Sequence, residues 1–278
     1  MQNITPQQAE GLIDELTAIA ARASAATVAV PFSAVEQRTK DDLSPVTAAD
    51  EAAEAIILDG LERLCPGVPV LAEESVAKGR VPAQLSGSFF CVDPLDGTKE
   101  FLAGRDEFTV NIALITAGQP IAGVIAAPAQ GLLWRGVVGL GAERLRLRLS
   151  AGAGQALEPA TIHTRPAPPR LTVATSRTHL NDATEAFIAR LPIGKRYMCG
   201  SSVKFCHLAQ GEADIYPRFS PTSEWDIAAG TAILTAAGGI VQAPSGGPLQ
   251  FGNRGSNFHV AGFVALGDAN GLPALPDV

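Results

Sequence analysis

Phe89-Phe90-Cys91-Val92-Asp93-Pro94-Leu95-Asp96-Gly97-Thr98 is an apolar run that empties into two carboxylates, a glycine and a hydroxyl. Consecutive apolar residues closed off by Pro and Gly predict a buried strand. Acids three residues apart at its end, followed by a glycine turn that opens a helix, predict a divalent cation held beside an anion. That combination points to metal-assisted phosphate chemistry. The simpler reading is a pair of turn-forming aspartates. It loses ground to the Thr98 hydroxyl and to Glu73 upstream.

Working outward, residues 7–26 repeat Ala, Leu and Ile at helical spacing and predict an amphipathic helix. Thr47-Ala48-Ala49-Asp50 has the spacing of a capping box. It predicts a second helix running to Leu64, with Asp50 in the first turn. Apolar stretches at Val68–Ala72, Phe108–Thr116, Ile121–Ala126 and Leu132–Val138, and the strict alternation of Arg144–Leu149, predict a mostly antiparallel sheet. Residues 151–170 collect Ala, Gly, Pro and Thr without a period and are expected to connect two halves, 1–150 and 171–278. The second half reads as strand Leu171–Thr175, helix Asn181–Arg190, a helix after Gly200-Ser201-Ser202, strand Ala213–Tyr216 and a helix from near Trp225-Asp226. The predicted class is an α+β half followed by an α/β half.

The 278 residues are 46% apolar, enough for a large core without covalent staples. A net charge of −7 excludes the broad basic surface that polynucleotides require. Residues 227–241 are apolar but too few and too small to span a membrane, and predict a buried helix running into a strand. Met1–Pro6 has no signal-peptide character, so the expected location is cytoplasmic. Cys65, Cys91, Cys199 and Cys206 make no Cys-x-x-Cys pair and read as core thiols. Gly139-Leu140-Gly141 lacks the third glycine and the acidic partner of a dinucleotide fingerprint.

Acids recur where elements begin or end: Asp50, Glu73-Glu74, Asp93 with Asp96, and Asp226. A set of oxygen donors alone suits Mg2+ rather than zinc, and one carboxylate can bridge two ions. The spacing also argues against a phospho-aspartate enzyme of the haloacid dehalogenase type. Such an enzyme needs its aspartates two residues apart, and here they are three apart.

Three ordered motifs, Leu71-Ala72-Glu73-Glu74-Ser75, Asp93-Pro94-Leu95-Asp96-Gly97-Thr98 and Trp225-Asp226-Ile227-Ala228-Ala229-Gly230 with Gly238-Gly239 behind it, resemble the inositol monophosphatase superfamily. Within it, Ser44–Asp50, Lys99-Glu100-Phe101, Gly200–Phe205 and Tyr216-Pro217-Arg218-Phe219 resemble the bacterial branch that acts on 3'(2'),5'-bisphosphate nucleotides, over Lys40 to Phe251. The resemblance implies a layered αβαβα sandwich of the inositol monophosphatase and sugar phosphatase type. It further implies that Glu73, Asp93 and the Leu95 carbonyl ligate one Mg2+, while Asp93, Asp96 and Asp226 ligate a second, in a site of two or three ions. Thr98 with Asp50 would then orient and deprotonate the attacking water. Gly97 and Thr98 N–H groups would receive phosphate oxygens.

Substrate choice is expected in the second half. The resemblance implies that Lys204 and Arg218 meet a second phosphate and that His179 approaches the nucleotide, against the readings of surface charges and a loop histidine. Ser201 is an N-cap candidate that can also donate to phosphate. The implied substrate is adenosine 3',5'-bisphosphate, with the phosphosulfate as a second. The implied setting is sulfur metabolism or metabolite clearance, and lithium is the implied inhibitor. An inositol monophosphate or a sugar bisphosphate remains the alternative substrate. A non-catalytic sensor is the alternative role, but it would not need the full set of acids and the hydroxyl. The sequence leaves open monomer or homodimer, and leaves peripheral attachment at the inner membrane face beside a free cytoplasmic state.

Overall fold

The computed structural model describes residues 3–30, 38–39 and 45–269. Residues 1–2, 31–37, 40–44 and 270–278, Lys40 and Ser44 included, lie outside them. In chain order the first half contains α1 (Pro6–Glu10), α2 (Ile13–Ala29), β1 (Arg38–Thr39), β2 (Pro45–Val46), α3 (Ala48–Leu64), β3 (Val70–Ala72), α4 (Glu73–Ala77), β4 (Ser88–Asp96) and α5 (Thr98–Leu102). Strands β5 (Thr109–Thr116), β6 (Gln119–Ala127), β7 (Leu132–Val137), β8 (Gly141–Ser150) and β9 (Ala153–Ile162) follow. The remainder is β10 (Leu171–Ser176), α6 (Asp182–Ile188), β11 (Ile193–Cys199), α7 (Val203–Ala209), β12 (Ile215–Arg218), β13 (Thr222–Ser223), α8 (Glu224–Ala236), β14 (Ile240–Gln242), β15 (His259–Val260) and β16 (Phe263–Leu266).

Strands β3 to β9 form one seven-stranded sheet in sequence order, antiparallel except for β3 alongside β4. A five-stranded mixed sheet has the order β11-β10-β12-β16-β14. Alternation along β4 explains the layering. Phe90 and Val92 point to one face, into a core shared with Leu16 and Ile19 of α2 and Ile57 and Leu61 of α3. Phe89 and Cys91 point to the other, into a core with Phe205 of α7 and Ile233 of α8. Beyond the second sheet, Phe187 and Ile188 of α6 cover Leu171, Val173 and Val264. Helices, sheet, helices, sheet and helix thus stack as the αβαβα sandwich.

The small residues of α8 have a packing cause. A Cβ added at Gly123 on β6 would sit 2.4 Å from the Ala229 carbonyl, so helix and sheet approach backbone to backbone. The run 227–241 is accordingly a buried helix followed by a strand.

Three expectations are corrected. The N-terminal helix is broken at Gly11–Leu12 into α1 and α2. Residues 151–170 are not all connection, because β9 pairs with β8 from Ala142↔Ile162 to Ser150↔Ala153, leaving 163–170 as the link. The strand expected over Ala213–Tyr216 lies at Ile215–Arg218, and β11 went unforeseen. The core shared by Phe89, Trp134, Phe205 and Ile233 runs across the expected boundary between halves. Among the described residues no helix is long and apolar enough to cross a membrane.

Candidate active site

The end of β4 is built by a bulge. Asp93 pairs with Asn111 and Asp96 with Thr109, so Pro94 and Leu95 occupy more chain than their partners do. Pro94 has no N–H to give to the ladder, which favours the irregularity there. Asp93 Oδ1 accepts the Leu95 N–H at 2.9 Å and fixes the turn from inside. Gly97 then takes φ +91°, and a Cβ on it would lie 3.1 Å from the Glu107 carbonyl oxygen. Glycine is required on both counts.

Thr98 opens α5 with its hydroxyl 3.3 Å from the Leu95 carbonyl and 3.4 Å from Asp50 Oδ1. Asp50 is in turn fixed by the capping box of α3: its Oδ2 accepts the Thr47 N–H at 2.8 Å and the Thr47 hydroxyl at 2.6 Å. One oxygen of Asp50 thus caps the helix while the other faces Thr98.

Two more acids come from other elements. Glu73 begins α4 directly after β3, whose parallel pairing with β4 brings Ala72 opposite Val92 and Glu73 beside Asp93. Asp226 lies in the first turn of α8, its Oδ2 accepting the Thr222 hydroxyl at 2.6 Å and the Ser223 N–H at 3.2 Å. The Ser202 hydroxyl lies 2.6 Å from both Asp96 Oδ2 and the Asp226 carbonyl oxygen. Glu74, next to Glu73, is buried.

Electrostatics mark this wall. Burial, and then the charges of Glu73, Asp96 and Asp226, push the Asp93 carboxyl well above its ordinary range. Burial and Asp96 push Asp226 up to about 6, against Thr222, Arg218 and the Ser223 N–H. Among the described residues, no three acid, imidazole or thiol groups converge as a ready-made cluster around one point. One oxygen of each aspartate is engaged with a protein donor, as given above. The donor set nonetheless fits Mg2+: crowded carboxylates and a main-chain carbonyl, all oxygen, whose mutual repulsion a divalent cation relieves.

Glu73, Asp93, Leu95, Asp96, Gly97, Thr98 and Asp226 line a cavity of about 320 Å³ together with His179, Ser201, Lys204 and Arg218. Asp50 stands behind the wall and reaches the cavity through Thr98. Lys204 is buried, at 2% exposure, and its ammonium donates to the carbonyls of Ser201 at 2.5 Å and Cys199 at 3.3 Å, 5.2 Å from the centre of the Tyr216 ring. It holds the Ser201 turn, where φ is +44°, as well as bordering the cavity. Arg218 donates to the Pro221 carbonyl at 2.9 Å, and its buried Nε has no protein acceptor. His179 Nδ1 lies 3.0 Å from the Thr178 hydroxyl and 3.3 Å from that of Ser176.

Residues 9–263 match the inositol monophosphatase family. The chain belongs to the inositol monophosphatase family. Among its relatives, the 3'(2'),5'-bisphosphate nucleotidase CysQ of Escherichia coli K12 is 43% identical over 78% of this chain and 84% of its own length. The CysQ of Escherichia coli O157:H7 is 40% identical over 88% and 96%. The crystal structure of CysQ from Bacteroides thetaiotaomicron superposes with a TM-score of 0.74 at 33% identity, covering 92% of this chain and 98% of that one. An inositol monophosphatase from Anabaena superposes at 0.72 with 28% identity, over 94% and 92%.

Sequence reasoning missed three residues that support this inositol monophosphatase-family site. Asn111 donates to the Ser202 hydroxyl at 2.9 Å. Its only signal was a polar residue inside an apolar strand. Glu107 accepts the Gly200 N–H at 2.9 Å and the Arg177 guanidinium at 2.7 Å, tying the loop before β5 to the second half. Glu54 holds the start of α4, and its signal was the four-residue spacing from Asp50 on one helix face.

Proposed function

We propose that this chain is a Mg2+-dependent phosphomonoesterase that hydrolyses the 3'-phosphate of adenosine 3',5'-bisphosphate, giving AMP and phosphate, with the corresponding phosphosulfate as a second substrate. One observation carries the reading: a single cavity is lined both by the acids with the Thr98 hydroxyl and by Arg218, Lys204 and His179. The CysQ relatives, named as 3'(2'),5'-bisphosphate nucleotidases, support the same substrate class.

Glu73, Asp93 and the Leu95 carbonyl would hold one Mg2+, and Asp93, Asp96 and Asp226 a second. Bound there, Mg2+ supplies Lewis acidity and neutralises phosphoryl charge. Thr98 aligns the attacking water through its hydroxyl, taking a proton from it while passing its own to Asp50 Oδ1. N–H groups at Gly97 and Thr98 receive phosphate oxygens. Arg218 meets the second phosphate with its guanidinium, Lys204 keeps the Ser201 turn in place for it, and His179 borders the base. Catalysis is then positioning and charge neutralisation.

Initial rates of phosphate release with Mg2+, measured on adenosine 3',5'-bisphosphate, inositol monophosphate and a sugar bisphosphate, test the proposal. The nucleotide is expected to be fastest, and equal or faster release from inositol monophosphate would reject the substrate. Asp96→Asn is expected to lower the Mg2+-dependent rate on the order of 10²-fold or more. Near-normal activity in that variant would reject the metal assignment.

A further inference from the structure

Helix α3 carries a second buried acid one turn beyond Asp50. Glu54 is 4% exposed and leaves the same helical face as Asp50. Its Oε2 accepts the Glu74 N–H at 2.9 Å and the Ser75 N–H at 3.3 Å, and its Oε1 accepts the Ser75 hydroxyl at 2.8 Å. All three donors belong to the first turn of α4, the helix whose first residue is Glu73. The N-cap of α4, Ala72, has no side chain able to cap, so the acceptor for these N–H groups comes from a different helix.

Helix α4 has five residues and the strand before it three, too few to fix a side chain's position by themselves. Glu54 supplies what they lack. Buried, charge-assisted bonds to three donors are strong and directional. They tie the backbone that carries Glu73 to the helix that carries Asp50, and Asp50 in turn meets Thr98. We propose that Glu54 is a positioning residue: it sets the distance between Glu73 and the Asp50–Thr98 pair, and so tunes how tightly the cavity takes Mg2+. This inference rests on the function proposed above.

Isothermal titration of the full chain with Mg2+ tests it, comparing wild type with Glu54→Gln, which keeps one acceptor oxygen and the side-chain volume. The expected result is a Mg2+ dissociation constant raised about tenfold, in the range for lost support behind a metal ligand. The rate lost at low Mg2+ should be recovered by adding more, with an unaltered KM for adenosine 3',5'-bisphosphate. Superimposable isotherms, or a raised KM with unchanged Mg2+ affinity, overturn the inference. Should Glu54→Gln lose its cooperative melt, Ser75→Ala decides, since it removes one of the three bonds. A rise of about threefold supports the role, and no rise overturns it. A wild-type protein that binds Mg2+ but releases no phosphate would sink the proposed activity while leaving the comparison of isotherms intact.

Discussion

His179 meets the cavity with a ring whose pKa is held below its ordinary value. Partial burial is the main cause, and Arg218 and Lys99 add to it, with Asp96 opposing. The folded pKa therefore lies below the unfolded 6.5, so the unfolded chain takes the proton first. Stability from this group is present above 6.5 and is lost as the pH falls through the folded value. A proton-detected titration of His179 is expected to inflect below 6.5, and an inflection above it would mean that a carboxylate dominates the ring. A neutral imidazole suits a nucleotide base better than a phosphate. Lys204 shows where reading stops at this scale. Its place in a motif was visible, but the carbonyls that hold its ammonium depend on a left-handed Ser201, which no spacing rule announces.

Among elements, the turn at Gly97 is the most constrained. Gly97→Ala adds a Cβ at φ +91° within 3.1 Å of a main-chain oxygen, and is expected to cost about 1–3 kcal/mol in denaturant unfolding and to depress turnover. Wild-type stability in that variant would show that the turn relaxes freely. Strands β4 to β7 were legible because each pairs an apolar run with a Gly or Pro boundary, β8 because Arg144–Leu149 alternates strictly, and α3 because Thr47 and Asp50 announce its start. Strand β9 was not. It is the sheet's edge, mostly exposed, with Pro159 inside and Glu158 at positive φ, so neither face shows an apolar period. Strand β11 failed for the same reason, since Lys195, Arg196 and Tyr197 lie exposed on the edge of the second sheet.

For the whole molecule, sequence periodicity supplied pieces, and the order of five layers came only from resemblance to the inositol monophosphatase superfamily. The long-range ties, such as Glu54 to Ser75, join side chains whose partners sit far along the chain, where no local pattern connects them. Glu107 is the counterpart between halves, bonded to Arg177 and to the Gly200 N–H. Glu107→Gln is expected to raise the KM for the bisphosphate about 3- to 10-fold while Mg2+ affinity holds. A change confined to Mg2+ affinity would overturn this role for Glu107.

The acids come from the end of β4 and the starts of α4 and α8, whereas His179, Ser201, Lys204 and Arg218 come from the segments around β10, β11 and β12. The proposed recognition residues therefore come from loops and strand ends distinct from those that carry Asp93 and Asp96, with Ser202 joining the two sets. On the proposed function, grafting those segments from a relative with another preference is expected to change the leaving group accepted, provided that the Ser202 hydroxyl keeps its bonds to Asp96 and Asp226.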